Sequence, residues 1–501
     1  MGPGVPPTTP ARVIETHISV LVFVGDRVYK LRKPVRFGFL DFTDRRVREA
    51  DCRREVELNR RLAPDVYLGV ADIEMDGEPI DHMVVMRALP DERRLATLVR
   101  AGSDVDGCLE QVATALATFH ARARRSPAVS DAATEVALEA TWEANFEETG
   151  RFVGTVLDPT TDRKIRTLAV RWLRRHTGLL RDRITSGHVC DGHGDLQAED
   201  IFCLDDGVRI LDCIEFTDRL RYGDVCADVA FLAMDLERLG RPDVAERFVY
   251  HYESRSGDRL PRALLHHCIA QRAYVRTKVA CLRLEQGVAG SDGAARELHA
   301  LALRHLRQAR QALVLVGGLP GTGKSTLTAG LAAETGWAIL RSDEVRGELQ
   351  PPREDRGVEG PTSEPGAGRY APDAVDAVYQ ELIRRARHHL NEGESVIVDA
   401  SWIDAAHRAA AAQAVAETGS ELIEFCCTCD DSVAAGRIER RRSRGDDASE
   451  ATPRVRQAMT REMAAWPLAT SINTSNRTPA ECLSWARGEL DTERQGAAEG
   501  P

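Results

Sequence analysis

The stretch that decides the fold of this 501-residue chain is Ala312-Leu313-Val314-Leu315-Val316-Gly317-Gly318-Leu319-Pro320-Gly321-Thr322-Gly323-Lys324-Ser325. Residues 312–316 form an unbroken apolar run, which predicts a buried parallel strand. Residues 318–325 match the pattern G-x-x-x-x-G-K-[ST], and a helical pattern follows over residues 326–334. A strand, a glycine-rich loop and a helix in this order predict a phosphate-binding loop.

The residue types of this loop suit the binding of a nucleoside triphosphate. Glycines allow the backbone to turn its N–H groups toward the phosphates, and the N-terminus of the following helix adds positive potential. Lys324 is expected to reach the β- and γ-phosphates, and the Ser325 hydroxyl is expected to bind Mg²⁺. The predicted ATP-binding residues of this region are Gly318, Leu319, Pro320, Gly321, Thr322, Gly323, Lys324, Ser325 and Thr326.

Two acidic residues follow later apolar runs and complete the predicted site. Residues 396–398 have a buried strand pattern that ends in Asp399, which would hold Mg²⁺ or its water as the acid of a Walker B strand does. Asp343 and Arg346 follow the strand pattern of residues 337–340. Asp343 could accept the proton of an acceptor hydroxyl, and Arg346 could bind an anionic group of that acceptor. The alternatives are a helix N-cap at Ser342 or Asp343 with Arg346 in solvent, and a plain strand-end acid at Asp399.

A dense basic segment lies further along the chain, at Arg437, Arg440, Arg441, Arg442 and Arg444. Arg437 and Arg441 are four residues apart and would share one face of a helix. One interpretation is a lid that places their guanidinium groups on the transferring phosphoryl group. The other is a solvated basic surface, and the sequence leaves both open.

Together these elements resemble the small P-loop kinases, the group that contains polynucleotide kinase, gluconate kinase and chloramphenicol phosphotransferase. The resemblance covers roughly residues 312–487. It implies that Asp343 and Arg346 act as a base and as a clamp for a substrate phosphate. Because the substrates of that group are diverse, the resemblance implies a reaction more firmly than an acceptor.

Another set of catalytic residue types precedes this region. His-Gly-Asp-Leu at residues 193–196 and the later acid Asp212 have the order of a protein-kinase-like catalytic loop and its metal-binding acid. Asp195 would be the base, and Asp212 would bind Mg²⁺. Lys30 lies on an N-terminal strand pattern, and Glu55 lies on a predicted helix that could pair with it. Both are expected at the nucleotide.

This set resembles the aminoglycoside phosphotransferase family over about residues 15–300. In that family the loop is His-Gly-Asp-Leu-His-x-x-Asn, so Gln197 and Asp200 depart from the pattern. Asp200 occupies the position of the Mg²⁺-binding Asn, and a carboxylate can also bind Mg²⁺. Its charge beside Asp195 and Asp212 should raise a local pKa. A kinase fold is therefore expected here, with its activity left open.

The whole chain, in this order, resembles bacterial proteins that join an aminoglycoside-phosphotransferase-like domain to a P-loop kinase domain. The expected fold class is α/β and α+β, with a bilobal protein-kinase-like domain followed by a P-loop domain that has a doubly wound parallel sheet. The expected divisions are a disordered N-terminus (1–12), a kinase-like domain (13–310), a P-loop domain (311–489) with a polar insertion (350–372), and a disordered tail (490–501).

The composition is that of a globular protein, with 43% hydrophobic and 29% charged residues. The net charge of −11 argues against nucleic acid as a partner. No secretory signal pattern and no apolar run of membrane-spanning length are visible, which predicts a cytoplasmic protein without a membrane partner. The twelve cysteines are therefore expected to be reduced thiols.

These features predict an ATP-binding, Mg²⁺-dependent phosphotransferase that acts on a hydroxyl of a small molecule. The P-loop domain would be active, and the kinase-like domain could be active as well. One alternative is a nucleotide-binding regulator in which a degenerate kinase-like domain gates a P-loop ATPase, as the departures at Gln197 and Asp200 would suit. Another is a nucleic-acid 5′-hydroxyl kinase, which Asp343 and Arg346 suggest and the acidic net charge opposes.

Overall fold

The computed structural model describes residues 12–16, 18–37, 40–349, 371–442 and 453–491. The chain divides into two compact units, which are Met1–Leu260 with Leu264–Leu306, and Pro261–Ala263 with Arg307–Pro501. Nearly all of the expected loose N-terminus, the body of the polar insertion and most of the tail lie outside the described residues. Arg12, the last residue of that N-terminal segment, begins a strand.

A five-stranded antiparallel sheet opens the first unit, in the order β1-β2-β3-β7-β6. The strands of this part are β1 (Arg12–Glu15), β2 (Ser19–Val24), β3 (Arg27–Arg32), β4 (Arg36–Phe37), β5 (Leu40–Asp41), β6 (Tyr67–Met75) and β7 (Glu78–Arg87). A hairpin joins β2 and β3, and Gly25 takes the φ of +59° that its turn requires. Helix α1 (Arg45–Asn59) packs Cys52 and Val56 in one cluster with Val28 of the sheet.

Helices make up most of the rest of the first unit. They are α2 (Leu95–Arg100), α3 (Asp106–Arg122), α4 (Pro127–Asp131), α5 (Glu135–Thr149), α6 (Pro159–Arg175), α7 (Thr177–Thr185), α8 (Val225–Arg238), α9 (Pro242–Ser256), α10 (Arg262–Glu285) and α11 (Ser291–Gln308). Between α7 and α8 lie β8 (Val189–Asp191), β9 (Ile201–Leu204), β10 (Gly207–Ile210) and β11 (Tyr222–Asp224). β8 pairs with β11, and β9 pairs with β10, both antiparallel. A sheet part followed by a helical part is the bilobal kinase-like fold that was predicted.

The second unit is built on five parallel strands in the order β13-β14-β12-β15-β16. The strands are β12 (Ala312–Gly317), β13 (Ala338–Arg341), β14 (Val396–Asp399), β15 (Glu421–Thr428) and β16 (Thr470–Asn473). The helices are α12 (Lys324–Thr335), α13 (Ser342–Leu349), α14 (Pro372–Asn391), α15 (Ala405–Thr418), α16 (Asp431–Arg442), α17 (Pro453–Glu462) and α18 (Pro479–Asp491). In the described ranges of the chain, no helix of either unit is both long and apolar enough to cross a membrane.

Successive residues of β12 face opposite sides of this sheet, and both sides are buried. Leu313 and Leu315 pack in a cluster with residues of α14 and α15, whereas Val314 and Val316 pack in a cluster with residues of α12 and α18. None of the four is more than 1% exposed. A strand that is apolar on both faces needs helices on both faces. The doubly wound sheet is therefore confirmed.

The expectation that all cysteines are reduced thiols is wrong for one pair. Cys108 of α3 and Cys203 of β9 form a disulfide with a Cα–Cα distance of 5.8 Å. These residues are separated by 95 positions in the sequence, so only the fold brings them together. The cysteines of the apolar run in β15, Cys426 and Cys427, are buried and free, as expected for small hydrophobic side chains.

Candidate active sites

The loop between β12 and α12 has a backbone that only glycine adopts readily at several positions. Gly318, Gly321 and Gly323 have φ values of +129°, +81° and +90°. A Cβ on Gly318 would lie 2.2 Å from the carbonyl oxygen of Cys427, and a Cβ on Gly321 would lie 2.8 Å from that of Ala434. Both the conformation and the close neighbours therefore require glycine, and the loop leads directly into the N-terminus of α12, where anions bind favourably.

Asp399 lies at the carboxyl end of β14, beside this loop. Its register partners are Val316 of β12 and Arg341 of β13. The Ser325 hydroxyl and the positive charge of Lys324 both favour the ionised form of its carboxylate. Burial raises the pKa of Asp399, and Lys324 and Ser325 oppose that rise. The sheet thus gathers a carboxylate, a hydroxyl and an ammonium group at one point.

Asp343 and Arg346 form an ion pair at the start of α13, directly after β13. Arg346 Nη1 donates a hydrogen bond to Asp343 Oδ1 over 2.6 Å. The Asp343 side chain is 37% exposed and that of Arg346 is 15% exposed, so the carboxylate is accessible. The negative charge of Asp343 acts on Asp399. The two acids therefore lie on the same edge of the sheet as the loop, where ligands bind in open α/β folds.

Two arginines hold the carbonyl groups of the loop. Arg437 of α16 donates to the carbonyl oxygen of Gly321 over 3.3 Å. Arg456 of α17, which the sequence did not single out, donates to the carbonyl oxygen of Pro320 over 2.7 Å. Arg437 therefore contacts the loop itself, and a role on the transferring phosphoryl group stays a prediction. The side chain of Arg441 lies outside the described residues.

In the first unit, β3 and α1 bring two of the predicted residues into contact. Lys30 Nζ lies 2.7 Å from Glu55 Oε1 and 3.0 Å from Asp212 Oδ1. The Glu55 side chain is fully buried. Asp212 has a φ of +64°, which is unusual for a residue other than glycine, and Lys30 lowers its pKa. The Lys30 ammonium thus links α1 to the acid that follows β10.

Arg32 is a second cation of β3, and the sequence did not reveal it. It is 4% exposed. Its Nε donates to Asp51 over 2.6 Å, and its Nη2 donates to Glu55 over 2.7 Å and also pairs with Glu215. Glu55 therefore bridges Lys30 and Arg32. Because buried charges are stable only when paired and hydrogen-bonded, this network fixes β3, α1 and the segment after β10 relative to one another.

The loop between β8 and β9 carries Asp195, and α8 holds the backbone of that loop. Asp228 of α8 accepts hydrogen bonds from the N–H groups of His193 and Gly194, over 2.7 and 2.9 Å. Gln197, which departs from the family pattern, donates from Nε2 to Asp195 Oδ2 over 3.0 Å. Burial raises the pKa of Asp195 to about 6. The carboxyl group is therefore held in place and suited to accept a proton near neutral pH.

Asp200 and Asp212 lie at the two ends of the β9–β10 hairpin. The N–H of Leu211 donates to the carbonyl oxygen of Asp200 over 2.9 Å, which draws these ends together. Burial and the charges of Asp212 and Asp195 raise the pKa of Asp200 well above its usual value, as the extra carboxylate predicted. A bound cation would relieve this repulsion, so the donor set fits Mg²⁺.

No three metal-binding side chains in the described part of the chain are close enough together to hold an ion by themselves. Mg²⁺ at nucleotide sites is bound by one or two carboxylates together with phosphate oxygens and water. In the second unit, Ser325 and Asp399 supply a hydroxyl and a carboxylate of this kind. In the first unit, Asp200 and Asp212 supply two carboxylates. Both pairs therefore fit an ion that arrives with a nucleotide.

Comparisons with known proteins cover both units. Residues 313–466 match the family described as an AAA domain. The chain is 41% identical to the Mycobacterium tuberculosis protein Rv2004c over 467 residues, which is 92% of either chain. It is similar to the solved structure of aminoglycoside 2′-phosphotransferase-IIIa with GDP (15% identity, TM-score 0.38, 59% of this chain and 93% of that one). It is also similar to a gluconokinase from Sinorhizobium meliloti (17% identity, TM-score 0.25, 36% of this chain and 91% of that one).

An identity of 41% across 92% of both chains extends over both units. The kinase-like fold of the first unit and the P-loop fold of the second are nucleotide-binding folds that phosphotransferases use, and they occur in the order that the sequence predicted. The chain therefore belongs to the family of Rv2004c.

Proposed function

We propose that this protein is an ATP-dependent phosphotransferase that uses Mg²⁺ and phosphorylates a hydroxyl group of a small molecule. The observation that carries the proposal is the grouping of Lys324, Ser325 and Asp399 beside a loop whose glycines exclude side chains. Phosphoryl transfer requires little covalent chemistry from the protein and depends on positioning and on charge stabilisation. A cation, a hydroxyl and a carboxylate at a helix N-terminus supply that environment.

Asp343 is the proposed base of the second unit. Its carboxylate accepts the proton of the acceptor hydroxyl while the hydroxyl oxygen bonds to the γ-phosphorus and ADP leaves. Mg²⁺ bound by Ser325 and Asp399 would neutralise charge on the phosphates. Arg346, at 2.6 Å from Asp343, holds the base in position and would bind an anionic group of the acceptor.

A second phosphotransfer site is proposed in the first unit. Lys30, oriented by Glu55, would bind nucleotide phosphates, and Asp195 would be the base. Asp200 and Asp212 would hold Mg²⁺. The intact contacts of Lys30 with Glu55 and Asp212 support an active site here. The departures at Gln197 and Asp200 leave these contacts in place, which favours activity over a purely regulatory role.

Label transfer from [γ-³²P]ATP tests the proposal directly. The full-length protein is offered sugars, aminoglycosides, nucleosides and 5′-hydroxyl oligonucleotides. Label is expected in a small molecule, and Asp343→Asn should slow transfer by the second unit about a hundredfold. Glu344→Gln is the matched control, because Glu344 is an exposed neighbouring acid that pairs with Arg341, and it should have little effect.

Other destinations of the label would support the alternatives. Label that appears only as free phosphate would favour a regulator that contains an ATPase. Label on the oligonucleotide would favour a nucleic-acid end kinase. Equal rates for Asp343→Asn and Glu344→Gln would contradict the role of Asp343.

The first unit should lose activity in acid. Asp195 accepts a proton only when it is ionised, and its pKa is raised to about 6. With the second site inactivated by Lys324→Ala, the rate of transfer should therefore fall about tenfold for each pH unit below about 6 and level off above about 7. A rate that stays constant down to about pH 4 would show that the base is another group.

A further inference from the structure

One arginine of α10, Arg272, contacts the helix that supports the catalytic loop of the first unit, and a second arginine lies one turn further along α10. Arg272 and Arg276 are one helical turn apart, so they share one face of α10. Arg272 Nε lies 3.4 Å from the carbonyl oxygen of Ala227. Its guanidinium carbon lies 5.1 Å from the centre of the Phe231 ring. Both contacts are with α8.

Helix α8 is also the element that holds the loop of Asp195. Asp228, the residue after Ala227, accepts two backbone hydrogen bonds from that loop. Arg272 is therefore anchored one residue away from the point where α8 fixes the base. The charges of Arg276 and Arg272 lower the pKa of Asp195 against the larger effect of burial. Both guanidinium groups thus belong to the surroundings of the base.

Neither guanidinium group has a carboxylate partner among the residues that the structure describes. Among the described residues, the hydrogen bond and the ring contact of Arg272 are both with α8, and Arg276 makes no hydrogen bond or ion pair. Both side chains are half-buried. Arg183, by contrast, is bound by Asp224 and Asp258, each at 2.7 Å. A half-buried guanidinium that no described carboxylate pairs with directly, placed beside a reacting group, is suited to bind an anion.

We infer that the acceptor of the first unit carries a phosphate or carboxylate group that Arg276 and Arg272 bind, next to the hydroxyl that Asp195 deprotonates. The inference rests on the proposed kinase activity of this unit. In the reaction, the acceptor oxygen bonds to the γ-phosphorus of ATP, and the bond from that phosphorus to the β–γ bridging oxygen breaks. The hydroxyl proton passes to Asp195, and ADP leaves. The two arginines select the acceptor, and they would repel a polycation.

Label transfer by the full-length Lys324→Ala protein tests this selection. Gluconate and glucose 6-phosphate distinguish the carboxylate from the phosphate, and glucose and kanamycin are the neutral and cationic comparisons. Label is expected in an anionic compound. Arg276→Ala should raise the KM for that compound about tenfold or more and leave the KM for ATP unchanged. Arg276→Lys keeps the positive charge, so it should raise the KM for that compound less than Arg276→Ala does. Arg163→Ala is the control, because Arg163 is exposed on α6.

Two results of this assay would overturn the inference. One is preferential transfer to kanamycin or glucose. The other is an equal fall in kcat for every acceptor in Arg276→Ala, which would indicate that Arg276 acts on the nucleotide.

Binding of inorganic phosphate provides a test that does not need turnover. Calorimetric titration is done on the full-length protein saturated with Mg²⁺ and a non-hydrolysable ATP analogue. The double variant Arg272→Ala/Arg276→Ala should bind phosphate about tenfold or more weakly than the wild type. Equal binding, or no binding by the wild type, overturns the inference. If no compound is labelled and phosphate binding still depends on the two arginines, the proposed catalysis fails and the anion site stands.

Discussion

Lys324→Ala is expected to remove most ATP turnover by the full-length chain, because it should slow the second unit about a hundredfold or more. Lys324 Nζ donates to the carbonyl oxygen of Leu319 over 3.2 Å, which holds the ammonium group across the loop. Its charge also acts on Asp399. Alanine removes the cation that would stabilise charge on the transferring phosphoryl group and leaves Asp399 without its opposing charge. A coupled assay of ADP release measures the loss.

Asp195→Ala is the comparison for this experiment and should remove less turnover than Lys324→Ala. It inactivates the proposed base of the first unit and leaves the loop of the second unit intact. Equal loss from Asp195→Ala alone would mean that the first unit carries the chemistry. Thermal melting of both variants shows whether any loss comes from unfolding.

Arg32→Met is expected to destabilise the first unit by about 3–5 kcal/mol, because it leaves buried carboxylates without their cation. Arg32 pairs with Asp51, Glu55 and Glu215 and is 4% exposed. Burial raises the pKa of Glu215, and Arg32 opposes that rise. Without Arg32 these carboxyl groups bind protons more tightly in the folded protein, so the deficit should be larger at pH 8 than at pH 5.

Chemical denaturation monitored by circular dichroism measures this deficit. Arg53→Met is the matched control. Arg53 lies on α1 and pairs with one acid of that helix, Glu49, but its side chain is 65% exposed. A surface pair of this kind contributes less than about 1 kcal/mol. Similar destabilisation by the two substitutions would contradict the view that the Arg32 network is a buried determinant of the fold.

Local sequence patterns were sufficient to predict the structure wherever one short stretch of residues determines it. The apolar run at 312–316, the glycines that follow it and the acid at Asp399 each depend on neighbouring residues, and β12, the loop and β14 appear at those places. The hairpin at Gly25 is another example, because a turn residue between two β-branched runs is typical of a hairpin.

Other features could not be derived from short stretches. Strand β16 has four residues, of which only Ile472 is buried, so it lacks a strand pattern. Arg32 and Arg456 gain their roles from partners far away in the sequence, and a single arginine carries no signal of such contacts. The same holds for Cys108 and Cys203, which the fold brings together across 95 positions. The missed features therefore share one cause, which is contact between distant segments.

The central claim is that the backbone of the loop at 318–325 binds the phosphates of ATP. Calorimetric titration with Mg²⁺ and ATP tests it in full-length Gly318→Ala and in its control Gly336→Ala. Gly336 also has a positive φ, +71°, but a Cβ there meets nothing within 4 Å, whereas a Cβ on Gly318 would lie 2.2 Å from a carbonyl oxygen. We predict that Gly318→Ala loses one ATP site per chain and that Gly336→Ala keeps every site of the wild type. Equal binding by the two variants, or no binding of ATP by the wild type, would contradict the claim.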